Sequence, residues 1–200
     1  MKSGTRAYRQ GARAAATTEN TERILSAAYE LFIDRPFDQI TLAAVAERAG
    51  LGLQTVIRRV GTKDGLVAAV YEWLGPQVAD GLGEPGGPAA DPAAVAAAFR
   101  RHYGRWGPAI ERTLTQADNS PALATNAENR RAGHRAWLDA AFAGALAAAT
   151  EPAVLRARLV ALTGVEFWLV LTRHEGLTPE QAEQTVATLL TATLTERTAS

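Results

Sequence analysis

Cysteine is absent from the 200-residue chain. That absence excludes a disulfide framework, a thiol nucleophile and every cysteine-based zinc or iron–sulfur site, and it agrees with a reducing cytoplasm. An excess of charge of either sign is lacking too, since 21 Lys and Arg offset 21 Asp and Glu. A wholly basic nucleic-acid coat protein is thereby excluded, whereas a local basic patch is not. No apolar run reaches the roughly 18 residues that a membrane span needs. The stretch from Leu159 to Leu171 is cut by Glu166, and the opening MKSGTRAYRQGARAAATT lacks the continuous apolar segment of a secretory signal. The expectation is a cytoplasmic protein that meets no membrane. Histidine is scarce: His102, His134 and His174 each lack a second ligand at metal-binding spacing on their own helix. A Gly-rich phosphate loop, a GxSxG elbow and any strand to position one are missing as well. Isolated acids such as Glu180 and Glu183 read as first-turn charges favoured by the helix dipole. Neither a catalytic constellation, a metal site nor a cofactor is expected, and the chain does not read as an enzyme.

What is present is ordinary globular material, 47% hydrophobic and 21% charged, enough for one large or two small domains with real cores. The apolar residues recur at helical steps and no strand pattern competes, so the expected class is all-α. Residues 1–18 carry Lys2, Arg6, Arg9 and Arg13 without an acid or an apolar stripe, and read as a flexible basic arm. Ile24, Leu25, Ala28, Leu31 and Phe32 mark a first helix that stops before Pro36. Thr41 caps a second helix, Leu42 to Ala49, ended by Gly50; a short third helix runs from Leu53 to Val60; Gly61-Thr62 breaks and caps a fourth. The Gly- and Pro-rich GPQVADGLGEPGGPAADP is expected to be either a kinked helix end or, beyond Asp80, a loop, and it separates residues 19–74 from residues 75–200.

In the second part, Val95, Phe99, Tyr103 and Trp106 share one helical face, and Gly107-Pro108 is expected to end that helix. A short helix from Ala109 follows, then a long one from Pro121 to about Thr150, then an apolar one from Pro152 to His174. Thr178-Pro179-Glu180-Gln181 is a capping-box signature for the last.

Two short helices joined through AGLG, the second polar and basic on its front and apolar on its back, are what a helix-turn-helix requires. Residues 24–70 resemble the tetracycline-repressor (TetR) family of transcriptional regulators. The resemblance rests on Leu31-Phe32, Phe37, Thr41, Ala46-Glu47-Arg48-Ala49-Gly50, Thr55 and Thr62-Lys63 in the family's order and spacing. It departs where Gly52 replaces the usual cap of the recognition helix, Ile57 the usual phosphate-facing tyrosine, and Val60 the usual anchoring aromatic. The resemblance implies that Thr41, Thr55 and Lys63 touch the backbone of double-stranded DNA. Gln54, Arg58 and Arg59 are candidates for base edges or phosphates, because Gln pairs bidentately with adenine and Arg with guanine. Alone, Arg58-Arg59 reads as a solvated face; the surrounding constellation reverses that reading. For the arm, a solubilising tail and minor-groove insertion are equally open.

The same resemblance implies a three-helix helix-turn-helix domain followed by an effector-binding and dimerisation bundle. Tyr103, Trp106, His134, Trp137 and Trp168 are the expected lining of a pocket for an apolar or aromatic small molecule, the alternative being a filled core. His134 serves either as a ligand donor or as a rim residue. Leu162, Leu169, Val186 and Leu190 are expected at a homodimer interface, with burial inside one chain as the competing account. The expected function is a ligand-responsive repressor of a palindromic operator. The alternatives are a regulator controlled by a protein partner, and a helical enzyme or carrier with an incidental helix-turn-helix-like hairpin.

Overall fold

The computed structural model describes residues 3–84 and 90–195, with side chains from residue 15 onward. Among the described residues all regular structure is helical. In chain order these are α1 (Ser3–Asp34), a 3-10 turn (Phe37–Gln39), α2 (Leu42–Ala49), α3 (Leu53–Val60), α4 (Lys63–Leu82) and α5 (Pro92–Thr115). A second 3-10 turn (Ala117–Asn119) leads to α6 (Pro121–Ala141), α7 (Ala143–Ala147), α8 (Pro152–Thr163), α9 (Val165–Leu169), a π turn (Val170–His174) and α10 (Pro179–Thr195).

The chain divides into two compact units, residues 1–74 with 116–124, and residues 75–115 with 125–200. In the first, α1 packs on α2 and α2 on α3. Ile24, Val45 and Val56 are fully enclosed at the centre of a core that also takes Leu31, Ala46 and Leu66. Phe37 is buried beside it, and its N–H donates to Gln116 Oε1 at 2.6 Å, which ties the 116–124 segment to this unit. In the second unit α5 is the central element, packed against α10 and α9, with α8 against α10. Phe99, Leu138, Phe142, Leu159 and Leu190 are its fully buried bulk.

Several boundaries differ from expectation, each for a physical reason. α1 begins at Ser3, so the segment to residue 18 expected as a flexible arm is helical where described; it holds no proline, and its alanines favour helix. α5 continues through Pro108, whereas α4 runs through Pro76 to Leu82, in line with the expectation of a helix end before a loop beyond Asp80. Each proline follows a glycine, Gly107 or Gly75, which has no Cβ to clash with the pyrrolidine ring. The long helix expected to reach Thr150 stops at Ala141, whose carbonyl accepts the Ala90 N–H at 3.1 Å. The helix expected from Pro152 to His174 breaks at Gly164, held extended at φ −69° and ψ 150°. The Thr178 capping box is formed as expected: the Thr178 N–H donates to Gln181 Oε1 at 2.9 Å and the Gln181 N–H to Thr178 Oγ1 at 3.2 Å.

Candidate nucleic-acid interface and effector region

The helix-turn-helix is assembled by local rules. Thr41 Oγ1 accepts the Ala44 N–H at 3.1 Å, so the hydroxyl starts α2. Gly50 ends it in the left-handed region at φ 63°, and the Leu51 N–H closes the turn on the Ala46 carbonyl at 2.9 Å. A side chain at Gly50 meets a second obstacle, because its Cβ would lie 2.9 Å from Arg23 Nη2. That guanidinium, from α1, donates to the Ala49 carbonyl at 2.6 Å, a cation placed at the negative end of α2. Arg48 of α2 reaches back to Glu30 at 3.1 Å and Asp34 at 3.6 Å. Two side chains, Arg23 and Arg48, thus fix α2 to its helical support before α3 begins.

Helix α3 has no side-chain cap, in keeping with Gly52 at that position. Val56 anchors it with no exposure, and Val60 is half-buried. At about 100° per residue, Gln54 and Arg58 form the outward line opposite that anchor. Leu53 and Ile57 lie on one flank, Thr55 and Arg59 on the other. Gln54, Arg58 and Arg59 are exposed and Thr55 is half-buried. The structure therefore gathers four of the six expected DNA-contacting residues on one short helix.

The other two are committed elsewhere as well. Thr41 is exposed but uses its oxygen in the cap. Lys63 donates from Nζ to the Phe37 carbonyl and lies over the Phe37 ring at 3.9 Å. A cation at a helix N-terminus is thus explained within the chain by a carbonyl and a ring face. Burial lowers the Lys63 pKa, and Asp38 and Asp64 oppose that shift. An ammonium has three donors, so two are left for a phosphate.

Sequence reasoning missed Gly65. Thr62 Oγ1 accepts its N–H at 3.0 Å, and a Cβ there would stand 2.1 Å from the Val60 carbonyl oxygen. The first turn of α4 therefore lies directly against the end of α3. The available signal was a glycine in a helical first turn, where it costs about 1 kcal/mol relative to alanine.

In the second unit four of the five expected effector residues, Tyr103, His134, Trp137 and Trp168, are joined in a ring cluster through Phe99 and Tyr103. Phe99 is the hub, 5.5 Å from the Tyr103 ring, 5.3 Å from His134 and 5.4 Å from Trp137. Trp168 lies 6.1 Å from Tyr103. Tyr103, Trp106 and Trp168 are buried; His134 and Trp137 are half-buried. Their polar tips have structural duties. The Tyr103 hydroxyl donates to the Thr163 carbonyl at 2.6 Å, just where α8 breaks. The Thr163 hydroxyl donates to the Leu159 carbonyl at 2.8 Å, so the 2.8 Å contact to His134 is a donation from Nε2–H. The Trp137 indole N–H donates to the Gly83 carbonyl at 2.9 Å.

Burial, with a smaller push from Arg130 and then His134, lowers the His102 pKa to about 4. Burial and then Arg135 lower that of His134 to about 4. Both rings are neutral near pH 7. His102 Nδ1 is buried without a hydrogen-bond partner, and it lies 3.2 Å from where a Cβ on Gly81 would stand.

Of the residues expected at a dimer interface, Val186 and Leu190 are corrected: at 3% and 0% exposure they fill the chain's own core, where α10 packs on α5. Leu162 and Leu169 are half-buried. Val154 on α8, Val170 on the π turn and Leu189 on α10 are exposed apolar side chains of the same region of the sequence. Among the described residues no group of three or more His, Asp or Glu side chains is placed to hold a metal ion, and no helix is long and apolar enough to cross a membrane.

Residues 24–70 match the family model for bacterial regulatory proteins of the tetR family. No curated protein matches the sequence. Solved structures are similar along most of the chain. A transcriptional regulator from Rhodococcus sp. Rha1 has a TM-score of 0.70 at 22% identity, over 88% of this chain and 96% of that one. A tetR-family transcriptional regulator from Streptomyces coelicolor has a TM-score of 0.65 at 17% identity, over 91% and 83%. The Flavonoid-responsive Regulator FrrA has a TM-score of 0.56 at 19% identity, over 88% and 96%. At these identities the structural likeness shows a shared fold, and the family model covers the segment that forms the helix-turn-helix. Residues 24–70 are thus similar in sequence to bacterial regulatory proteins of the tetR family, and the chain shares the fold of solved transcriptional regulators.

Proposed function

We propose that this protein is a DNA-binding transcriptional regulator of the tetR family, a cytoplasmic homodimeric repressor with no catalytic cycle, which binds a palindromic operator through α3 and is released by a small molecule held in residues 75–200. The observation that carries the DNA half is the front of α3: Gln54, Arg58 and Arg59 are exposed beside half-buried Thr55, while Val56 locks the back. A helix so held presents its side chains to a major groove about 12 Å wide. Thr41 and Lys63 flank it as phosphate contacts with their remaining donors. Dimerisation is supported by Val154, Val170 and Leu189, each 36% exposed or more, and by half-buried Leu162 and Leu169 on α8 and α9.

For the effector, the supporting features are the ring-rich interior, the half-buried rim of His134 and Trp137, and the orphaned His102 Nδ1. One protein of this fold is named as flavonoid-responsive. A second reading, control by a protein partner, is favoured by the contact of three rings with Phe99, which leaves the centre of the unit filled. The domain organisation proposed is a reading head in residues 19–74 and an effector and dimerisation bundle in residues 75–200. A ligand acts by preferring one of two conformations, and typical couplings of about 1–3 kcal/mol change DNA affinity by about 5- to 150-fold.

The test is retention of DNA from upstream of the protein's own gene, followed by mapping of the protected site. Two half-sites related by a dyad are expected, with affinity falling steeply as salt rises. A panel of apolar and aromatic compounds is then screened by melting temperature and Trp fluorescence. Stabilisation with loss of operator binding supports the small-molecule reading. No response across the panel transfers control to a protein partner.

A further inference from the structure

The front of α3 is not uniformly polar. Leu53 and Ile57 are 41% and 38% exposed, and they stand one helical turn apart, so their side chains meet on one flank of the helix. The neighbouring line is Gln54 and Arg58, also one turn apart and exposed. An apolar stripe therefore runs parallel to a hydrogen-bonding stripe on an eight-residue helix that contains no acidic residue and two arginines. The absence of acids and the paired guanidinium groups suit an anionic partner. Within a major groove, that partner's one apolar feature is the 5-methyl group of thymine.

We propose that Leu53 and Ile57 read thymine 5-methyl groups, so that the operator carries thymine beside the base pairs addressed by Gln54 and Arg58. The inference rests on the DNA-binding reading with α3 in the major groove. Four residues of helix advance about 6 Å, close to two base-pair steps of about 3.4 Å. The pair thus addresses positions about two base pairs apart, and each side chain has its own methyl to cover. Burying one methyl-sized group contributes about four-fold to a binding constant. Two symmetry-related half-sites then give about fifteen-fold for each thymine position in the half-site.

The experiment starts from a duplex that the full-length protein retains selectively. Each thymine is replaced in turn by uracil, which removes the 5-methyl group and leaves every hydrogen-bonding group in place. Affinity is measured by mobility shift for the natural chain and for Leu53→Ala and Ile57→Ala. The expected result is a loss of about four-fold per methyl at one or two positions of each half-site. Each alanine variant should bind the thymine duplex less tightly and show a thymine-to-uracil ratio near one at its own position. Both residues are exposed, and circular dichroism should show unchanged helix content in the variants.

A ratio of one in the natural chain, on a duplex that is still bound, overturns the inference and leaves the DNA-binding reading standing. An unchanged ratio in both variants overturns it too. If the substitutions alter self-association in sedimentation while duplex affinity is unaffected, the apolar pair belongs to a protein contact and the inference is wrong. Failure to retain any duplex at low salt removes the underlying reading itself.

Discussion

Replacing Gly65 by alanine sets two effects of known sign against each other. On intrinsic helix propensity the substitution stabilises α4 by about 1 kcal/mol. Against it, the new Cβ would stand 2.1 Å from the Val60 carbonyl oxygen and 3.3 Å from its carbon. Close carbon-to-oxygen contacts lie at about 3.3–3.6 Å, so more than an ångström must be recovered. The carbonyl is not free to turn, because it accepts the Thr62 N–H at 2.8 Å and is followed by Gly61 at φ 69°. Relief therefore comes from moving the first turn of α4 away from α3. That costs the bond from the Gly65 N–H to Thr62 Oγ1, a cap worth about 1 kcal/mol, and overpacking strain of about 1–3 kcal/mol.

The net is a destabilisation of about 1–3 kcal/mol, and for a unit of this size each kcal/mol lowers the melting temperature by about 4–8 °C. Calorimetry of the first unit's transition measures it directly. Operator affinity measured well below that transition should fall as well, since the end of α3 moves. Gly133, in α6, is the control, because a Cβ added there would meet nothing within 4 Å. Gly133→Ala should raise stability by up to about 1 kcal/mol. If Gly65→Ala raises the melting temperature as Gly133→Ala does, the steric reasoning is refuted.

Arg58→Ala with Arg59→Ala should leave the fold intact, because both side chains are exposed, and should weaken operator binding by about 1–3 kcal/mol for each bidentate base contact removed; unchanged affinity in a mobility-shift titration counts against their role. Leu190→Arg places a charge in a fully enclosed site and should unfold the second unit, whereas Leu189→Arg, at a position 36% exposed, should keep helix content and lower self-association in sedimentation. His102 and His134 have folded pKa values near 4 against 6.5 in the unfolded chain. A depressed histidine pKa means that the unfolded state takes up protons first. Stability is therefore full above pH 6.5, falls between pH 6.5 and 4, and has dropped by pH 5 on the order of 2 kcal/mol for each ring. Melting curves at pH 7.5 and pH 5 check this, and His102→Gln should flatten the dependence.

The parts of this fold that could be read from sequence are those decided within a few residues. Thr41, Gly50, Thr62 and the Thr178–Gln181 pair act on backbone groups three or four positions away, so the boundaries of α2, α3 and α10 follow from residue type. What resisted is decided by partners far along the chain. The end of α6 depends on Ala90, and the break at Gly164 on Tyr103. Pro108 in α5 looked like a stop because the preceding glycine, which relieves the clash, looked like a second stop. At the candidate site the outward residues of α3 were legible from its apolar back. The tie of Lys63 to Phe37 and the closeness of Gly65 to Val60 required the turn itself. The last two helices looked too apolar for one chain because the demand of α5 for a partner is invisible locally; Val186 and Leu190 answer that demand.

The junction at Thr163 constrains how this regulator can acquire a new response. Tyr103 donates to its carbonyl and His134 to its hydroxyl, while that hydroxyl donates onward to Leu159. Each of the three residues satisfies a buried or half-buried polar group on another, so single replacements strand a partner, and their effects will not add. A variant library that randomises these positions one at a time will collect mostly unfolded chains. One that changes His134 and Thr163 together, for apolar residues of matching volume, removes that donor and acceptor in step, while the Thr163 carbonyl, a backbone group, still calls for the Tyr103 hydroxyl. The route to an altered interior is therefore through coordinated pairs with Tyr103 kept, and the mutational landscape around this helix break is a ridge with few side paths.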